Sequence, residues 1–341
     1  MRKTSVAVFL FLVCALRGWA ARPLEVYFID VEGGQATFVV SPSGQSLLID
    51  TGWPDAKGRD AERIMAAAKL AGLDRIDYLL ITHYHMDHVG GVPQLAARIP
   101  LRTFLDHGPS VESGKDAAQL FADYQRVRDK GKHQQVKPGD RIPIKGIDVQ
   151  VLTAADEEIT EPLPGAGGPN PFCASVPRHE NDPSENAQSV GILITFGKFR
   201  MIDLGDLTWN KELELVCPNN KVGSVDVYLS THHGMNLSGA PAIVHALHPR
   251  VAVINNGARK GGSPEAWDTI RSSPGIKDIW QLHYSVAGET DHNAPDPFIA
   301  NVGNADDVCR GNWIKLTADG SGLFTLTNSR NGKMKIYKPA P

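Results

Sequence analysis

The chain has 341 residues, of which 42% are hydrophobic and 21% are charged, and its formal net charge is −3. This composition is typical of an ordinary globular protein and excludes a disordered, collagen-like or disulfide-scaffold chain. A chain of this size buries roughly 75% of the surface that its unfolded form exposes. We therefore expect a large hydrophobic core that needs no metal or disulfide support.

The amino terminus has the features of a secretory signal peptide. Arg2 and Lys3 precede the apolar run Val6–Leu16, and small residues stand at the two positions that a signal peptidase recognises. The run is shorter than the ~20 apolar residues that a membrane-spanning helix needs, so we expect no stable membrane anchor. The sequence predicts a signal peptide over residues 1–20, a domain over residues 22–341, and a secreted or periplasmic location.

Removal of residues 1–20 makes the chain more acidic. It deletes three of the 35 basic residues and none of the 38 acidic ones, which leaves a formal charge of −6. An acidic chain is not steered toward polyanions, so charge does not favour nucleic acid over a small-molecule or phosphodiester substrate. The one basic stretch, Arg126–Lys137, is predicted to be the solvated face of a helix.

Three cysteines remain after the predicted cleavage, namely Cys173, Cys217 and Cys309. An oxidising compartment permits one disulfide and leaves an odd thiol, and the sequence leaves the pairing open. No two cysteines are close in sequence, which disfavours a zinc site built on several thiolates.

Short apolar strands alternate with helical patterns along the chain, which predicts a single α/β domain. The first predicted elements are strands at Leu24–Asp30, Ala36–Val40 and Ser46–Asp50, a helix at Asp60–Ala71, and a strand at Asp77–Ile81. Later strands are predicted at residues 101–105, 147–152, 189–196, 198–202, 225–230, 251–254 and 278–282, and around Trp313, Leu323 and Met334. The Pro- and Gly-rich segment between Ala154 and Asn186 predicts a long loop, of the kind that covers a functional site or is disordered.

The strongest chemical signal lies in the loop Thr82–Gly91, directly after a predicted buried strand. It carries His83, His85, Asp87 and His88 with the spacing HxHxDH. Imidazole and carboxylate suit Zn, Mn or Fe, and a tight loop directs alternating side chains at two adjacent ions. A histidine-rich surface loop is the alternative, and the flanking strand disfavours it.

Two more strand ends carry ligand-type residues. Asp203 and Asp206 end one strand, and His232 and His233 end another. An aspartate after a glycine is common in turns, so Asp206 alone is weak evidence, but the three segments in this order predict one metal site. His283 and His292 flank a later loop, where ordinary loop hydrogen bonding is favoured over a role at the rim of the site.

The opening Val26–Ala36, together with Leu48–Gly52, and the motifs above resemble the metallo-β-lactamase superfamily over essentially the whole mature chain. The resemblance is greatest to the ComEC-type branch, the hydrolase-like domain of bacterial competence proteins. It implies an α/β fold of four layers, an αββα sandwich, with a dinuclear metal site at one edge. Zn is the expected metal, with two ions, and Mn or Fe are alternatives.

The resemblance also implies a role for each candidate residue. His83 and His85 resemble ligands of the first metal, and Asp87 and His88 resemble ligands of the second. Asp206 would bridge the two ions, and His232 or His233 would complete the second site. Asp50 matches the buried aspartate that orients the ligand loop.

The sequence departs from the superfamily at one ligand. Zinc lactamases and glyoxalase-type enzymes carry another first-metal histidine just before the strand that begins here at Ser189. That position falls on Glu185 or Asn186 in this chain. Three outcomes stay open: Glu185 replaces the imidazole, His179 enters from the long loop, or only one ion is held tightly.

The implied mechanism is metal-assisted hydrolysis. Two cations roughly 3.5–4 Å apart lower the pKa of a bridging water, and the hydroxide attacks a carbonyl or phosphoryl group. We assign catalytic roles to Asp87, which orients the hydroxide, and to His233. Only one of His232 and His233 is expected to be a metal ligand. The other would donate a hydrogen bond to the developing oxyanion or support a ligand.

A phosphodiester or phosphoryl ester is the expected substrate, because the most similar branch resembles nucleases and phosphorylcholine esterases. Hydrolysis of a lactam or lactone is the alternative, which the missing histidine weakens. A non-catalytic binding module that keeps the fold is a third reading, and the intact ligand set disfavours it.

Overall fold

The first six strands build one half of the fold. In the computed structural model, which describes residues 22–54, 57–303 and 309–339, they are β1 (Leu24–Phe28), β2 (Thr37–Val40), β3 (Ser46–Ile49), β4 (Ile76–Leu80), β5 (Leu101–Asp106) and β6 (Lys132–Gln135). Strands β1 to β3 are antiparallel neighbours, whereas β3 to β6 pair in parallel. Parallel pairs need crossover connections. These carry α1 (Arg59–Leu70), α2 (Met86–Val89), α3 (Val92–Ala96) and α4 (Lys115–Arg128).

Helix α1 shows how the sequence sets these boundaries. Asp60 and Glu62 lie in its first turn, where carboxylates favour the positive end of the helix dipole. Gly72 follows the last turn with φ 73°, and its backbone N–H donates to Lys69 O. A glycine accepts this left-handed conformation without strain, so the helix ends there.

The next nine strands build the second sheet. They are β7 (Arg141–Ile142), β8 (Asp148–Ala154), β9 (Glu157–Glu158), β10 (Gly191–Phe196), β11 (Phe199–Asp203), β12 (Val227–Leu229), β13 (Val251–Ile254), β14 (Asp278–His283) and β15 (Ile299–Asn301). Strands β11 to β15 pair in parallel, and the crossovers carry α5 (Trp209–Val216), α6 (Pro241–Leu247) and α7 (Pro264–Arg271).

The chain then returns to the first sheet. Strands β16 (Ile314–Ala318), β17 (Phe324–Asn328) and β18 (Met334–Tyr337) form an antiparallel extension in which β16 pairs with β1. The strand order of the first sheet is β18-β17-β16-β1-β2-β3-β4-β5-β6, and that of the second is β15-β14-β13-β12-β11-β10-β8-β7, with β9 on β8.

Three hydrophobic clusters show that the fold has four layers. The central cluster joins the inner faces of both sheets, for example Val26 and Leu47 of the first with Val151 and Val227 of the second. A second cluster packs α5 to α7 on the outer face of the second sheet, and a third packs the helices α1, α3 and α4 on the first. The structure confirms the predicted αββα sandwich.

Most predicted strands appear with ends shifted by one or two residues, and the basic stretch is the clearest error. Residues 126–137 were expected to be one helix face, but α4 ends at Arg128 and Lys132–Gln135 form β6. This strand lies at the edge of its sheet with all four side chains exposed, so its sequence lacks the apolar alternation that predicts a strand. Strands β7 and β15 were also missed because they are very short.

The structure bears on two further expectations. The long loop between Ala154 and Asn186 contains the short strand β9 and a 3₁₀ turn at Cys173–Ser175. Across the described residues, no helix combines the length and the apolar character that crossing a membrane requires. The predicted signal peptide at residues 1–20 lies outside the described residues.

The disulfide that the sequence left open joins Cys173 to Cys217, 44 residues apart, and Cys309 is the odd thiol. The disulfide links the long loop to the end of α5. Because it closes a long loop in the unfolded chain, we expect reduction to lower the free energy of unfolding by about 3–4 kcal/mol.

Urea unfolding with and without a phosphine reductant measures the loss in the free energy of unfolding when the disulfide is reduced. The double variant Cys173→Ser/Cys217→Ser is the control, and its unfolding should not respond to the reductant. An equal response in both proteins would contradict the prediction.

Candidate metal centre

The predicted ligand residues follow three strands whose carboxyl ends lie together. The HxHxDH loop follows β4, Asp206 follows β11, and the pair His232 and His233 follows β12. The structure brings ligand atoms of Asp87, His88, Asp206 and His233 within 4.8 Å of one another, and all four residues are buried. Three distant segments of the chain thus converge on one group of ligand atoms.

Distances within this group match those between ligands of a common ion. His88 Nε2 lies 3.2 Å from Asp206 Oδ2 and 3.4 Å from Asp87 Oδ2. His233 Nε2 lies 3.2 Å from Asp87 Oδ2 and 3.4 Å from Asp206 Oδ2. Zinc ligands held at ~2.0–2.2 Å in a tetrahedral arrangement stand roughly 3.3–3.6 Å apart. A divalent cation therefore fits among these side chains without a large rearrangement.

Two more histidines lie next to this group of four residues. His83 Nε2 lies 3.9 Å from Asp206 Oδ2, and the His85 ring lies beside His83 with 4.7 Å between ring centroids. Among the described residues, neither His83 Nε2 nor Asp206 Oδ1 has a hydrogen-bond partner, although both are buried. Such atoms cost free energy unless a water or an ion satisfies them. Imidazole and carboxylate donors with two such atoms fit a second cation, to which Asp206 would offer its free Oδ1.

Asp50 fixes the orientation of the HxHxDH loop. Its Oδ2 lies 2.7 Å from His88 Nδ1, and its Oδ1 accepts a hydrogen bond from the Thr82 backbone N at 2.8 Å. Thr82 Oγ1 in turn lies 3.1 Å from His83 Nδ1. Because these partners occupy both Nδ1 atoms, His83 and His88 present Nε2 to the metal site.

His85 is held by a residue that the sequence did not single out. Its Nε2 lies 2.8 Å from Glu112 Oε1, which leaves Nδ1 as the nitrogen for a metal ion. A carboxylate on the outer nitrogen orients a ligating imidazole and raises its basicity. Glu112 lies in the loop between β5 and α4, 27 residues from His85, and no motif marks it.

The two histidines after β12 occupy different positions. His233 Nε2 lies inside the group of four ligand atoms, 3.2 Å from His88 Nε2. His232 Nε2 lies 3.4 Å from Asp206 Oδ2, and its Nδ1 lies 3.2 Å from Ser238 Oγ. The sequence left open which histidine is the ligand. The geometry favours His233, with His232 beside the shared carboxylate.

Both histidines have a left-handed backbone, with φ 54° at His232 and 57° at His233. This conformation costs roughly 1–3 kcal/mol for a residue other than glycine. His232 N donates to Gly205 O, and Gly262 N donates to His233 O, which holds the turn in place. A Cβ at Gly261 would lie 2.2 Å from His233 O, so the close approach of the two loops requires glycine there.

Glu185 does not replace the missing first-metal histidine. It accepts hydrogen bonds from Tyr84 N at 3.1 Å, Val111 N at 2.7 Å and Ser110 Oγ at 2.9 Å. Its Oε2 also lies 2.9 Å from His107 Nε2. Both carboxylate oxygens are therefore engaged in joining the HxHxDH loop to the loop after β5.

His179 does not enter the site either. Its ring stacks on Trp209, with 4.3 Å between centroids and 12° between planes, and its backbone N donates to Asn210 Oδ1. Asn186 Oδ1 is buried and has no hydrogen-bond partner within the described ranges. Of the two residues at the position of the missing histidine, Glu185 and Asn186, only Asn186 has a side-chain oxygen without a partner in the described part of the chain.

Charges in the cluster keep its carboxylates ionised and, in the absence of a metal ion, favour a proton on His88. Burial raises the pKa of Asp206 and of Asp87, but the imidazoles of His88 and His233 outweigh it and hold both pKa values well below their ordinary range. Burial and the charge of His88 lower the pKa of His83. Burial also lowers the pKa of His88, but Asp206 and Asp87 raise it to well above its ordinary value. An incoming cation therefore displaces a proton from His88.

Lys260 is a second site residue without a sequence signal. Its Nζ pairs with Asp87 Oδ2 and lies 5.2 Å from the centre of the Trp53 ring. It follows β13 in a loop that packs closely on the β1–β2 turn, where a Cβ at Gly33 would lie 2.9 Å from Lys260 Cβ. This loop places a partly exposed cation beside the acidic cluster.

Asp203 ends β11 and lies outside the ligand group. Gln35 Nε2 donates to both of its carboxylate oxygens, at 3.1 and 3.0 Å, and Gly205 N donates at 3.1 Å. Burial raises the pKa of Asp203 to about 6. These contacts agree with the expectation that Asp203 is a strand residue and not a ligand.

Separate substitution of Asp206 and Asp203 should distinguish the two aspartates. We expect Asp206→Asn to lose at least one metal ion per chain, because it removes the carboxylate between the two positions. Asp203→Asn should keep its metal and change the free energy of unfolding by about 1–3 kcal/mol. Elemental analysis and urea unfolding measure both effects, and equal metal loss in the two variants would show the assignment to be wrong.

Substitution of Glu112 should weaken metal binding without removing a ligand. We expect Glu112→Ala to raise the Kd for Zn²⁺ about 10- to 100-fold, because His85 loses the partner that orients it. Competition against a chromogenic chelator gives the Kd. Glu161→Ala, at an exposed position of the long loop, is the matched control. An unchanged Kd in Glu112→Ala would contradict the role.

Comparison with known proteins agrees with this geometry. Residues 29–180 match the family model described as metallo-beta-lactamase superfamily. The chain is 27% identical over 238 residues to a UPF0173 protein of Pyrococcus abyssi, a match that covers 69% of this chain and 86% of that protein. It is 28% identical to a ribonuclease Z of Methanopyrus kandleri, over 38% of this chain and 46% of the relative.

Other similarities cover less of the relative or are weaker. A hydroxyacylglutathione hydrolase of Klebsiella pneumoniae is 29% identical over 33% of this chain and 34% of its own length, so the chain spans about a third of that relative. A solved metallo-beta-lactamase fold protein from Bacillus subtilis is 12% identical, covers 83% of this chain and 97% of its own, and gives a TM-score of 0.46. The residues that match the metallo-beta-lactamase superfamily model, 29–180, include Asp50 and the whole HxHxDH loop.

Proposed function

We propose that this protein is a secreted or periplasmic metal-dependent hydrolase that cleaves a phosphodiester or phosphoryl ester. The observation that carries the proposal is the buried group of Asp87, His88, Asp206 and His233 with the cation of Lys260 beside it. Relatives named ribonuclease Z and hydroxyacylglutathione hydrolase are hydrolases, which supports hydrolytic chemistry at the same fold.

The ligand set divides into two halves. Asp87, His88 and His233 would hold one ion, His83 and His85 would hold the other, and Asp206 would serve both. Imidazole and carboxylate ligands suit Zn²⁺, with Mn²⁺ and Fe²⁺ as alternatives. Bound cations would supply Lewis acidity and lower the pKa of water to near neutrality.

The chain's own residues would position the reactants. Asp87, ionised and facing the imidazole nitrogens of His88 and His233, is placed to accept a proton from the attacking water and orient it. His232 presents Nε2 beside Asp206, where it can donate a hydrogen bond to an oxygen of the substrate. Trp53 and the packed loops of Gly33 and Lys260 wall the site on one side.

The charge of Lys260 favours an anionic substrate. Its ammonium group pairs with Asp87, and coordination of Asp87 to a cation would reduce the negative charge available to that ammonium. An anionic phosphoryl oxygen would then replace the lost partner, whereas a neutral lactam or lactone offers only a carbonyl. The resemblance to competence-type hydrolases supports the same substrate class, and the acidic chain favours a small ester over nucleic acid.

The disulfide supports the location. Bonds such as Cys173–Cys217 persist in oxidising compartments and are rare in the reducing cytosol. This agrees with the signal peptide that the sequence predicts over residues 1–20.

Hydrolysis of bis-p-nitrophenyl phosphate and of nitrocefin should differ strongly. With added Zn²⁺ or Mn²⁺ we expect diester turnover far above lactam turnover, because the diester carries its negative charge on the reacting phosphoryl group, where it can pair with Lys260. Nitrocefin carries its charge on a carboxylate away from the lactam carbonyl. We expect Lys260→Ala to raise KM for the diester at least tenfold while a neutral ester is hydrolysed as before.

Two controls complete this test. Lys69→Ala, at an exposed position in the last turn of α1, changes the net charge equally and should leave KM unchanged. Asp206→Asn should abolish all hydrolysis. Efficient cleavage of nitrocefin with no diester turnover at any metal concentration would overturn the proposed substrate class.

A further inference from the structure

A second group of metal-binding side chains lies apart from the centre described above. Asp30, Glu32, His283 and Cys309 each place a ligand atom within 4.8 Å of the others. The residues come from three distant parts of the chain: the turn after β1, the end of β14, and the segment before β16. None of them takes part in the proposed hydrolysis.

The ligand atoms of the four residues lie close together, and both Asp30 oxygens face members of the group. His283 Nε2 lies 2.7 Å from Asp30 Oδ1, 3.6 Å from Glu32 Oε2 and 3.7 Å from Cys309 Sγ. Cys309 Sγ lies 3.0 Å from Asp30 Oδ2. Tetrahedral zinc ligands at ~2.0–2.3 Å stand roughly 3.3–3.8 Å apart, so a modest outward movement of Asp30 admits the ion.

Arg63 organises the carboxylates from outside. Its guanidinium binds Asp30 Oδ2 at 2.8 Å and Glu32 Oε1 at 3.4 Å, so Asp30 Oδ1 and Glu32 Oε2 are turned toward His283. Arg63 also donates to the Cys309 carbonyl oxygen at 3.0 Å, which fixes the backbone that carries the thiol. Ligating carboxylates in metal sites are commonly hydrogen-bonded in this way on their outer oxygens.

The position of Arg63 depends on a glycine. Gly311 has a left-handed backbone with φ 67°, and a Cβ there would lie 2.3 Å from Arg63 Nε and push the guanidinium from its present position. Two members of the group are shielded from solvent, since the side chain of Asp30 is fully buried and that of His283 is 4% exposed, whereas Glu32 and Cys309 are partly exposed. Asp30, His283 and Arg63 are therefore held in a packed arrangement and do not form a loose surface cluster.

We propose that Asp30, Glu32, His283 and Cys309 form a mononuclear Zn²⁺ site separate from the hydrolytic centre. One thiolate, one imidazole and two carboxylates are a donor set that suits Zn²⁺ in a closed tetrahedral site. On binding, the Cys309 thiol releases its proton to solvent and forms the sulfur–metal bond, and His283 coordinates through Nε2 with its proton on Nδ1. The three negative charges of two carboxylates and a thiolate then balance the three positive charges of Zn²⁺ and Arg63.

Such a site would support the hydrolytic centre without joining it. Glu32 immediately precedes Gly33, which packs on Lys260, and the Gln35 backbone N donates to Asp87 O at 3.1 Å. An ion at this point would tie the β1–β2 turn to β14 and to the segment before β16. Zn²⁺ should therefore raise the thermal midpoint of unfolding.

Titration of the mature protein with Co²⁺ under anaerobic conditions tests the site. Cys309 is the free thiol of the described chain, and the hydrolytic centre contains no sulfur ligand. A sulfur-to-cobalt charge-transfer band in the near ultraviolet therefore reports this site alone. We expect the band in the wild-type protein and in Asp206→Asn, and its loss in Cys309→Ser, with Zn²⁺ displacing the Co²⁺ and removing the band.

Two further variants separate a metal site from a structural ion pair. His283→Gln should raise the Co²⁺ Kd at least tenfold, whereas His292→Gln, at a partly exposed position of the following loop, should leave it unchanged. Absence of the band with excess Co²⁺, its persistence in Cys309→Ser, or failure of Zn²⁺ to compete would overturn the proposal. The assay uses no substrate, so its outcome is independent of the proposed hydrolase activity.

Discussion

The hydrogen bonds of the Asp50 carboxylate are the constraint on which the metal centre depends. Asp50 lies at the end of β3 with φ 60°, and it holds the Thr82 backbone and His88 Nδ1 at the same time. A buried carboxylate is costly unless its oxygens are satisfied. Here the groups that satisfy Asp50 are the parts of the HxHxDH loop that must be positioned. The same hydrogen bonds therefore stabilise the buried carboxylate and orient the ligand residues.

Contacts with neighbouring loops also hold the strained backbone of His232 and His233 in place. Their left-handed backbone is unfavourable in isolation, but Gly205, Gly261 and Gly262 allow the neighbouring loops to approach and supply hydrogen bonds that hold it. The conformation directs His233 into the ligand group and leaves His232 beside it. At these two positions the left-handed backbone directs adjacent side chains to different points.

The parts of the fold and site that the sequence predicted are those set by local pattern. Strands β1 to β4 and helix α1 have clear apolar periodicity and glycine or acidic boundaries, and the HxHxDH loop and Asp206 follow strands whose ends are easily recognised. Glu112 and Lys260 were missed because their roles arise only from the packing of distant loops. The strand β6 was missed because an exposed edge strand of polar residues has no apolar alternation.

The environment of His283 could not be predicted from the local sequence either. Loop hydrogen bonding was the favoured interpretation for it, yet it ends β14 and its side chain faces Asp30, 253 residues away. Only the sheet topology, in which β14 and the end of β1 lie in different sheets of the sandwich, brings the two together. A histidine of this kind carries no local signal, because the residues that define its environment come from the other end of the chain.

Glu185 and Glu112 act on the same part of the candidate centre. Glu185, in the segment where an imidazole was expected, bonds to Tyr84 N and to Val111 N. It therefore joins the loop that carries His85 to the loop that carries Glu112, whose carboxylate holds His85 Nε2. A residue that does not reach the metal position can in this way still fix a ligand at that position. Both Glu185 oxygens are engaged in this network, so the carboxylate acts on the candidate centre only through the position of the two loops that it joins.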